Sequence, residues 1–228
     1  MGKPIIVFDL DGTLVDTAPD LLDSLNHTLD AGGATRADTA GFRQFVGHGA
    51  RVMIERAYQA QKKALATDEH DRLFALFLEH YGANIPGQSK PYPGVVEALE
   101  RFREAGYLLA VCTNKTEEFS KRLLVGLGMS GFFAAICGQD TFAHRKPDPR
   151  HLTETIGLAG GDTSEAVMVG DSRTDIDTAK AAGIPVVAVD FGYTDRHVRE
   201  FEPSKVISHF DELTVPLAGS LIAGANGR

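Results

Sequence analysis

Five short runs of branched and apolar residues punctuate this chain, and between them the pattern turns helical. The runs are Pro4–Asp9, Tyr107–Thr113, Phe133–Cys137, Ala166–Val169 and Pro185–Asp190. Each is close to continuously apolar rather than alternating. Alternation marks a strand with one wet face, whereas continuity marks a strand buried on both faces, as in a parallel sheet covered by helices. The intervening stretches supply such covers. Gly94–Gly106 places apolar residues at Val95, Leu99 and Phe102 and stops at a glycine, and Asp175–Ala182 stops in the same way at Gly183. The alternation predicts an α/β fold with a doubly wound, Rossmann-like parallel sheet as its core.

One region breaks the alternation. From Thr17 to Pro86 the pattern is helical throughout, with no convincing strand. Asp20–Asp30 carries apolar residues at Leu21, Leu22, Leu25 and Leu29, one stripe of an amphipathic helix, and Val46–Tyr58 and Glu69–Tyr81 resemble it. The first strand therefore belongs to a domain that resumes only after an inserted helical module. The expected division is a core of residues 1–16 and 88–222, an insert of residues 17–87, and a C-terminal tail, residues 223–228, free to fray. The chain crosses between the two parts near Asp16–Ala18 and Gly87–Pro93, where the Pro86-Gly87 and Pro91-Tyr92-Pro93-Gly94 clusters suit a hinge.

Charge and composition exclude several functions. Thirty-one acidic residues stand against 23 basic ones, a net charge of -8, and the longest basic cluster is Lys62-Lys63. A nucleic-acid surface needs a basic stripe, so no nucleic-acid partner is expected. Pro4–Phe8 is far too short to cross a bilayer and lacks a signal-peptide pattern, so neither a membrane nor export is expected, and the chain reads as cytoplasmic. Cys112 and Cys137 sit in apolar runs with no histidine near them in sequence, and read as buried thiols. Phe42, Phe45, Phe74 and Phe77 fall at helical spacing and read as core of the insert. His80, His144, His151 and His209 show no metal-ligand spacing and read as surface or loop residues.

In a doubly wound sheet, ligands bind at the carboxyl ends of the strands. Asp9-Leu10-Asp11-Gly12-Thr13 follows the first strand, and the period of two directs Asp9 and Asp11 to the same side. Gly170-Asp171-Ser172-Arg173-Thr174-Asp175 follows Val169. A helix starting there would set Asp171 and Asp175 one turn apart on one face. Four carboxylates converging on one crevice repel unless cations compensate them. Oxygen ligands without imidazole or thiol suit a hard divalent ion, Mg2+. Lys146, stiffened by Pro147 and Pro149, offers a second cation, and Thr113 and Asn114 add a hydroxyl and an amide. Each element alone is commonplace; their joint occurrence at predicted strand ends is not.

Phe8 to Thr17, Thr113, Lys146-Pro147 and Gly170-Asp171 with Asp175 resemble the four motifs of the haloacid dehalogenase-like superfamily of phosphohydrolases. The resemblance spans nearly the whole chain, since the insert is similar to that superfamily's α-helical cap domain. It implies that Asp9 attacks phosphorus, forming an aspartyl-phosphate, while Asp11 protonates the leaving alkoxide and then activates water. It further implies that Mg2+ is held by the Asp9 carboxylate, the Asp11 main-chain carbonyl and the Asp171 carboxylate. Asp175 would act one layer out, through water or on Lys146. Thr113, Asn114 and Lys146 would hold the phosphoryl oxygens. Dehalogenating relatives lack an acid at the place of Asp11, so its presence favours phosphoryl transfer.

The leaving group is less constrained. Phe45 to Ala50, Thr113-Asn114-Lys115 and Phe191-Gly192-Tyr193 resemble the phosphoglycolate phosphatase branch, which implies a small soluble phosphate ester such as 2-phosphoglycolate. His48 and Arg51 in the insert are candidates for selecting it, against the plainer readings of a helix end and an exposed helix cation. A sugar-phosphate mutase, a phosphatase for another small metabolite and a catalytically silent binding protein are the alternatives. The chain is expected as a monomer or homodimer.

Overall fold

Each apolar run becomes a strand, and the chain passes helix after helix over the sheet the strands build. The computed structural model describes residues 2–38, 49–194 and 196–227. The first half comprises β1 (Lys3–Phe8), β2 (Val15–Asp16), α1 (Ala18–Ala31), α2 (Ala50–Ala60), α3 (Thr67–Asn84), β3 (Lys90–Pro91) and α4 (Val95–Glu104). Then follow β4 (Leu108–Cys112), α5 (Glu117–Gly126), β5 (Ala135–Cys137), α6 (Pro149–Ala159) and β6 (Gly161–Gly170). The last elements are α7 (Arg173–Ala181), β7 (Val186–Val189), β8 (Lys205–Ile207) and α8 (Val215–Asn226). Six strands form a parallel sheet in the order β5-β4-β1-β6-β7-β8. The chain winds outward from β1 to β5, returns to the other side of β1, and winds outward again to β8. The strand order thus reverses beside β1, where a doubly wound sheet opens its crevice.

Both faces of the sheet are buried, which is why its strands lack polar alternation. Ile6, Phe8, Val111 and Val169 point into one cluster with Leu99 and Phe102 of α4 and Ile222 of α8. Ile5, Val7, Ala110 and Met168 point into the other with Ile156 of α6 and Ile176 of α7. Three outcomes differ from the sequence expectations. Strand β8 is a three-residue edge, too short for periodicity to announce. Helix α8 runs to Asn226, through most of the tail expected to fray. His151 is a fully buried residue of α6 rather than a surface one. Its Nε2 meets the Gly138 carbonyl at 3.0 Å, its Nδ1 lies 3.7 Å from Cys112 Sγ, and burial pushes the ring down to about 4, so it stays neutral. Cys112 and Cys137 are free and buried, and burial pushes the Cys112 thiol up to about 12, so no thiolate forms.

The helical region forms a third cluster of its own. Leu21, Leu25 and Leu29 of α1 face Ile54 of α2 and Leu73, Phe77 and Tyr81 of α3. Where the chain enters and leaves this region, β2 and β3 pair antiparallel, Val15 with Pro91 and Asp16 with Lys90. Asp20 fastens the crossing from inside α1. Its carboxylate accepts from Gln88 N at 2.7 Å, Ser89 N at 3.0 Å and Ser89 Oγ at 2.5 Å. No helix of the described residues is long and apolar enough to cross a membrane.

Candidate active site

Register fixes the site before any side chain is considered. Phe8 pairs with Val111 on one side and Val169 on the other, so the residues leaving these strands emerge in one row. Asp9 N donates to Val169 O at 2.9 Å and Thr113 N to Cys137 O at 3.0 Å, extending the row one residue past the strand ends. Asp9, Thr113 and Asp171 therefore stand together because β1, β4 and β6 are neighbours.

Lys146 lies at the centre of the carboxylates. Its Nζ is 2.9 Å from Asp9 Oδ1 and 2.6 Å from Asp175 Oδ1, and its side chain is only 2% exposed. Both carboxylates outweigh the penalty of burial and hold the ammonium above its ordinary range. Asp9 Oδ1 is buried from solvent against this ammonium. Asp171 accepts from Thr13 Oγ1 at 3.2 Å and from Tyr193 N at 2.6 Å. Asp9, Asp171 and Asp175 bring one oxygen each within 4.8 Å of one another. Burial, opposed by Lys146 and reinforced by Asp175, pushes Asp9 up to about 6, and burial with the neighbouring carboxylates raises Asp171 well above its ordinary value. One ammonium does not neutralise three buried carboxylates, and an additional hard cation fits this donor set.

Asp171 and Asp175 do not share a helix face. Ser172 is the N-cap of α7, so Asp171 precedes the helix and Asp175 lies in its first turn. Asp175 Oδ2 accepts from Ser172 N at 3.1 Å and Ser172 Oγ at 2.6 Å, completing a capping box. Asp175 thus caps α7 with one oxygen and pairs with Lys146 through the other. The loops around Asp171 have no room for side chains. A Cβ on Gly12, whose φ is +83°, would lie 2.4 Å from Asp171 Oδ2, and one on Gly192 would lie 2.2 Å from Asp171 Cβ.

Asp11 occupies the opposite wall. Its carboxylate accepts from Lys115 Nζ at 2.9 and 3.2 Å and from Thr17 Oγ1 at 2.7 Å. Thr113 is buried and lines the same cleft. Asn114 lines it too, but spends one N–H on the Lys146 carbonyl at 3.0 Å, positioning that loop. Over these polar groups the helical region sets Leu21, Met53, Phe77 and Tyr81. Arg51 is not brought to the cleft: it pairs with Asp71 at 2.6 Å and covers the Phe74 ring, half exposed. His48 lies outside the described residues. Lys115, Thr13 and Tyr193 were not among the expected site residues, although all three fall inside short motifs that the sequence singled out.

The haloacid dehalogenase-like hydrolase family model matches residues 6–189. A phosphoglycolate phosphatase of Mesorhizobium japonicum is 73% identical over 99% of both chains. One of Agrobacterium fabrum is 49% identical over 97% of this chain and 95% of its own. The crystal structure of a predicted phosphoglycolate phosphatase from Haemophilus somnus superposes with a TM-score of 0.86 at 32% identity, covering 92% of this chain and 96% of that one. A match that begins in β1, ends in β7 and carries the strand-end carboxylates along with it makes the chain a member of the haloacid dehalogenase-like hydrolases.

Proposed function

We propose that this chain is a magnesium-dependent phosphatase that hydrolyses 2-phosphoglycolate to glycolate and phosphate through a phosphorylated Asp9. The observation that carries the reading is the buried Asp9 carboxylate on the cleft floor, paired with Lys146 and within 4.8 Å of oxygens of Asp171 and Asp175. Three carboxylates gathered around one ammonium on a cleft floor leave negative charge that a structural role does not need and a metal-assisted one does. The relatives' names supply the substrate, and the small cleft under an apolar roof suits it.

Asp9, Asp171 and the Asp11 main-chain carbonyl would hold the metal. Asp175 has least to give it, because both its oxygens are engaged by Lys146 and Ser172. When bound, Mg2+ supplies charge neutralisation at the phosphoryl oxygens. Asp9 forms a bond to phosphorus as the bond to the leaving oxygen breaks. Lys146, Thr113 and the remaining amide hydrogen of Asn114 orient the phosphoryl oxygens and offset their charge. Asp11 gives its proton to the leaving oxygen, then takes one from the water that cleaves the acyl phosphate. Residues 17–87 serve as a cap that excludes bulk water during these steps, turning on the β2–β3 crossing.

Steady-state release of phosphate from a panel of esters, with and without Mg2+, tests the reading. The expected result is metal-dependent turnover of 2-phosphoglycolate ahead of glucose 6-phosphate and nucleoside monophosphates. A preference for a nucleotide would sink the substrate assignment, and an isomerised sugar phosphate in place of free phosphate would make the chain a mutase.

A further inference from the structure

We infer that Lys115, with the Tyr81 hydroxyl beside it, is the subsite that receives the carboxylate of the leaving group. The inference rests on the phosphoglycolate reading and assigns the part of the substrate that the phosphoryl motifs leave unassigned.

Among the described residues lining the cleft, the cations are Lys146 and Lys115. Lys146 lies between Asp9 and Asp175, on the phosphoryl side. Lys115 instead lies on the leaving-group side, 2.9 Å from Asp11, the residue that hands a proton to the departing oxygen. In phosphoglycolate the carboxylate carbon is two bonds from that oxygen. A cation in hydrogen-bond contact with Asp11 therefore stands where the carboxylate arrives once the oxygen has met Asp11. Lys115 Nζ meets both oxygens of Asp11, and the ammonium's remaining donor faces the Tyr81 hydroxyl, where an arriving carboxylate can take it up.

The roof gives a second, independent sign. Leu21, Met53, Phe77 and Phe119 make it apolar, and Tyr81 interrupts them. The Tyr81 residue is 2% exposed, and its ring centroid lies 4.5 Å from Lys115 Nζ. Its oxygen lies within reach of the Lys115 ammonium, while its own buried O–H has no acceptor among the described residues. A buried O–H donor without an acceptor is costly unless a ligand completes it. A carboxylate laid between Lys115 and Tyr81 accepts from both. An apolar or hydroxylated leaving group would leave them unmatched, which is the stronger way to reject an analogue. Arg51, directed at Asp71, offers no competing site.

The test compares 2-phosphoglycolate with 2-hydroxyethyl phosphate, which keeps the chain length and replaces the carboxylate by a hydroxymethyl group. Both are assayed on the full chain at saturating Mg2+, and the readout is the ratio of their kcat/KM values. Any effect on Asp11 itself falls on both esters and cancels in that ratio. Lys115→Met should lower the ratio by about 10²-fold, Lys115→Arg should retain part of it, and Tyr81→Phe should lower it by about 5-fold. Loss of activity on both esters with the ratio intact would overturn the inference and reduce Lys115 to a partner of Asp11. A wild-type ratio near one would overturn the phosphoglycolate reading, and this subsite with it. A high wild-type ratio that the variants leave unchanged would overturn the subsite alone. Circular dichroism shows whether Lys115→Met folds; if it does not, an unchanged ratio in both Lys115→Arg and Tyr81→Phe rejects the subsite.

Discussion

Asp9 is a buried carboxylate kept at a cost to stability. Burial lifts it from an ordinary 3.8 to about 6, so its folded value exceeds its unfolded one. Such a group favours folding below the unfolded value, and that contribution is lost as pH rises through about 6. At pH 7.5 without metal, the native state thus carries a buried charge that the unfolded chain would solvate freely. Asp9→Asn removes the charge, so the variant should be more stable than wild type in chelator by ~1–3 kcal/mol, measured by thermal or urea unfolding. Its turnover should fall by at least about 10³-fold. Adding Mg2+ should reverse the stability order, since it binds the native wild type more tightly. A less stable variant in chelator would show that Asp9 is chiefly structural. The carboxylates and Lys146 were legible because each sits in a recognisable short pattern, Asp9 and Asp171 directly after a strand, Lys146 before a proline and Asp175 in a first helical turn. Lys115 was not, because its meaning lies in a partner 104 positions away. Thr13 is similar, its contact with Asp171 spanning 158 positions.

Among the elements, legibility followed length and burial on both faces. The central strands announced themselves by continuous apolar runs, and α1 by its Leu21, Leu25 and Leu29 stripe. The two-residue strands β2 and β3 gave no pattern at all, yet they decide how the helical region is attached. Proline and glycine marked the crossing but not what closes it. Asp20 does that from the buried face of α1, where an apolar residue would be the rule. Its three acceptor contacts tie the outgoing end of α1 to the returning strand, with Gly87 leaving space for the carboxylate. Asp20→Ala would strand the Gln88 and Ser89 donors in a buried corner. Its expected cost is ~2–4 kcal/mol in urea unfolding, well above that of the exposed Asp30→Ala, which loses only a surface pair with Arg36. Equal costs for the two would mean the crossing is held by β2–β3 pairing and not by Asp20.

For the whole molecule, the question is how the helical region and the carboxylate cluster stay in register, and Tyr193 is where they meet. Its backbone N–H fixes Asp171 at 2.6 Å, on the metal side of the site. Its ring is 3% exposed and packs into the apolar cluster of α1, α2 and α3, although the residue belongs to the loop after β7. Its hydroxyl donates to Asp16 and accepts from Ala18 N at 2.8 Å, at the entry to α1. Burial raises the phenol, so it remains a donor at every pH the fold survives. One residue thus spans from a candidate metal ligand to the crossing on which the helical region would turn. Tyr193→Phe separates these attachments: the ring and the backbone donor to Asp171 remain, while Ala18 N–H keeps only its long 3.4 Å contact with Asp16 Oδ1 and Asp16 loses the phenol as a donor. The Mg2+ concentration for half-maximal activity should therefore stay within about 2-fold of wild type. The KM for the ester should rise several-fold, because the cap position that completes the cleft is less populated. Kinetics at varied Mg2+ and varied ester separate the two effects. A metal requirement that shifts with KM would mean that the Tyr193 hydroxyl acts on Asp171 through the loop, and that cap and metal site respond as one unit.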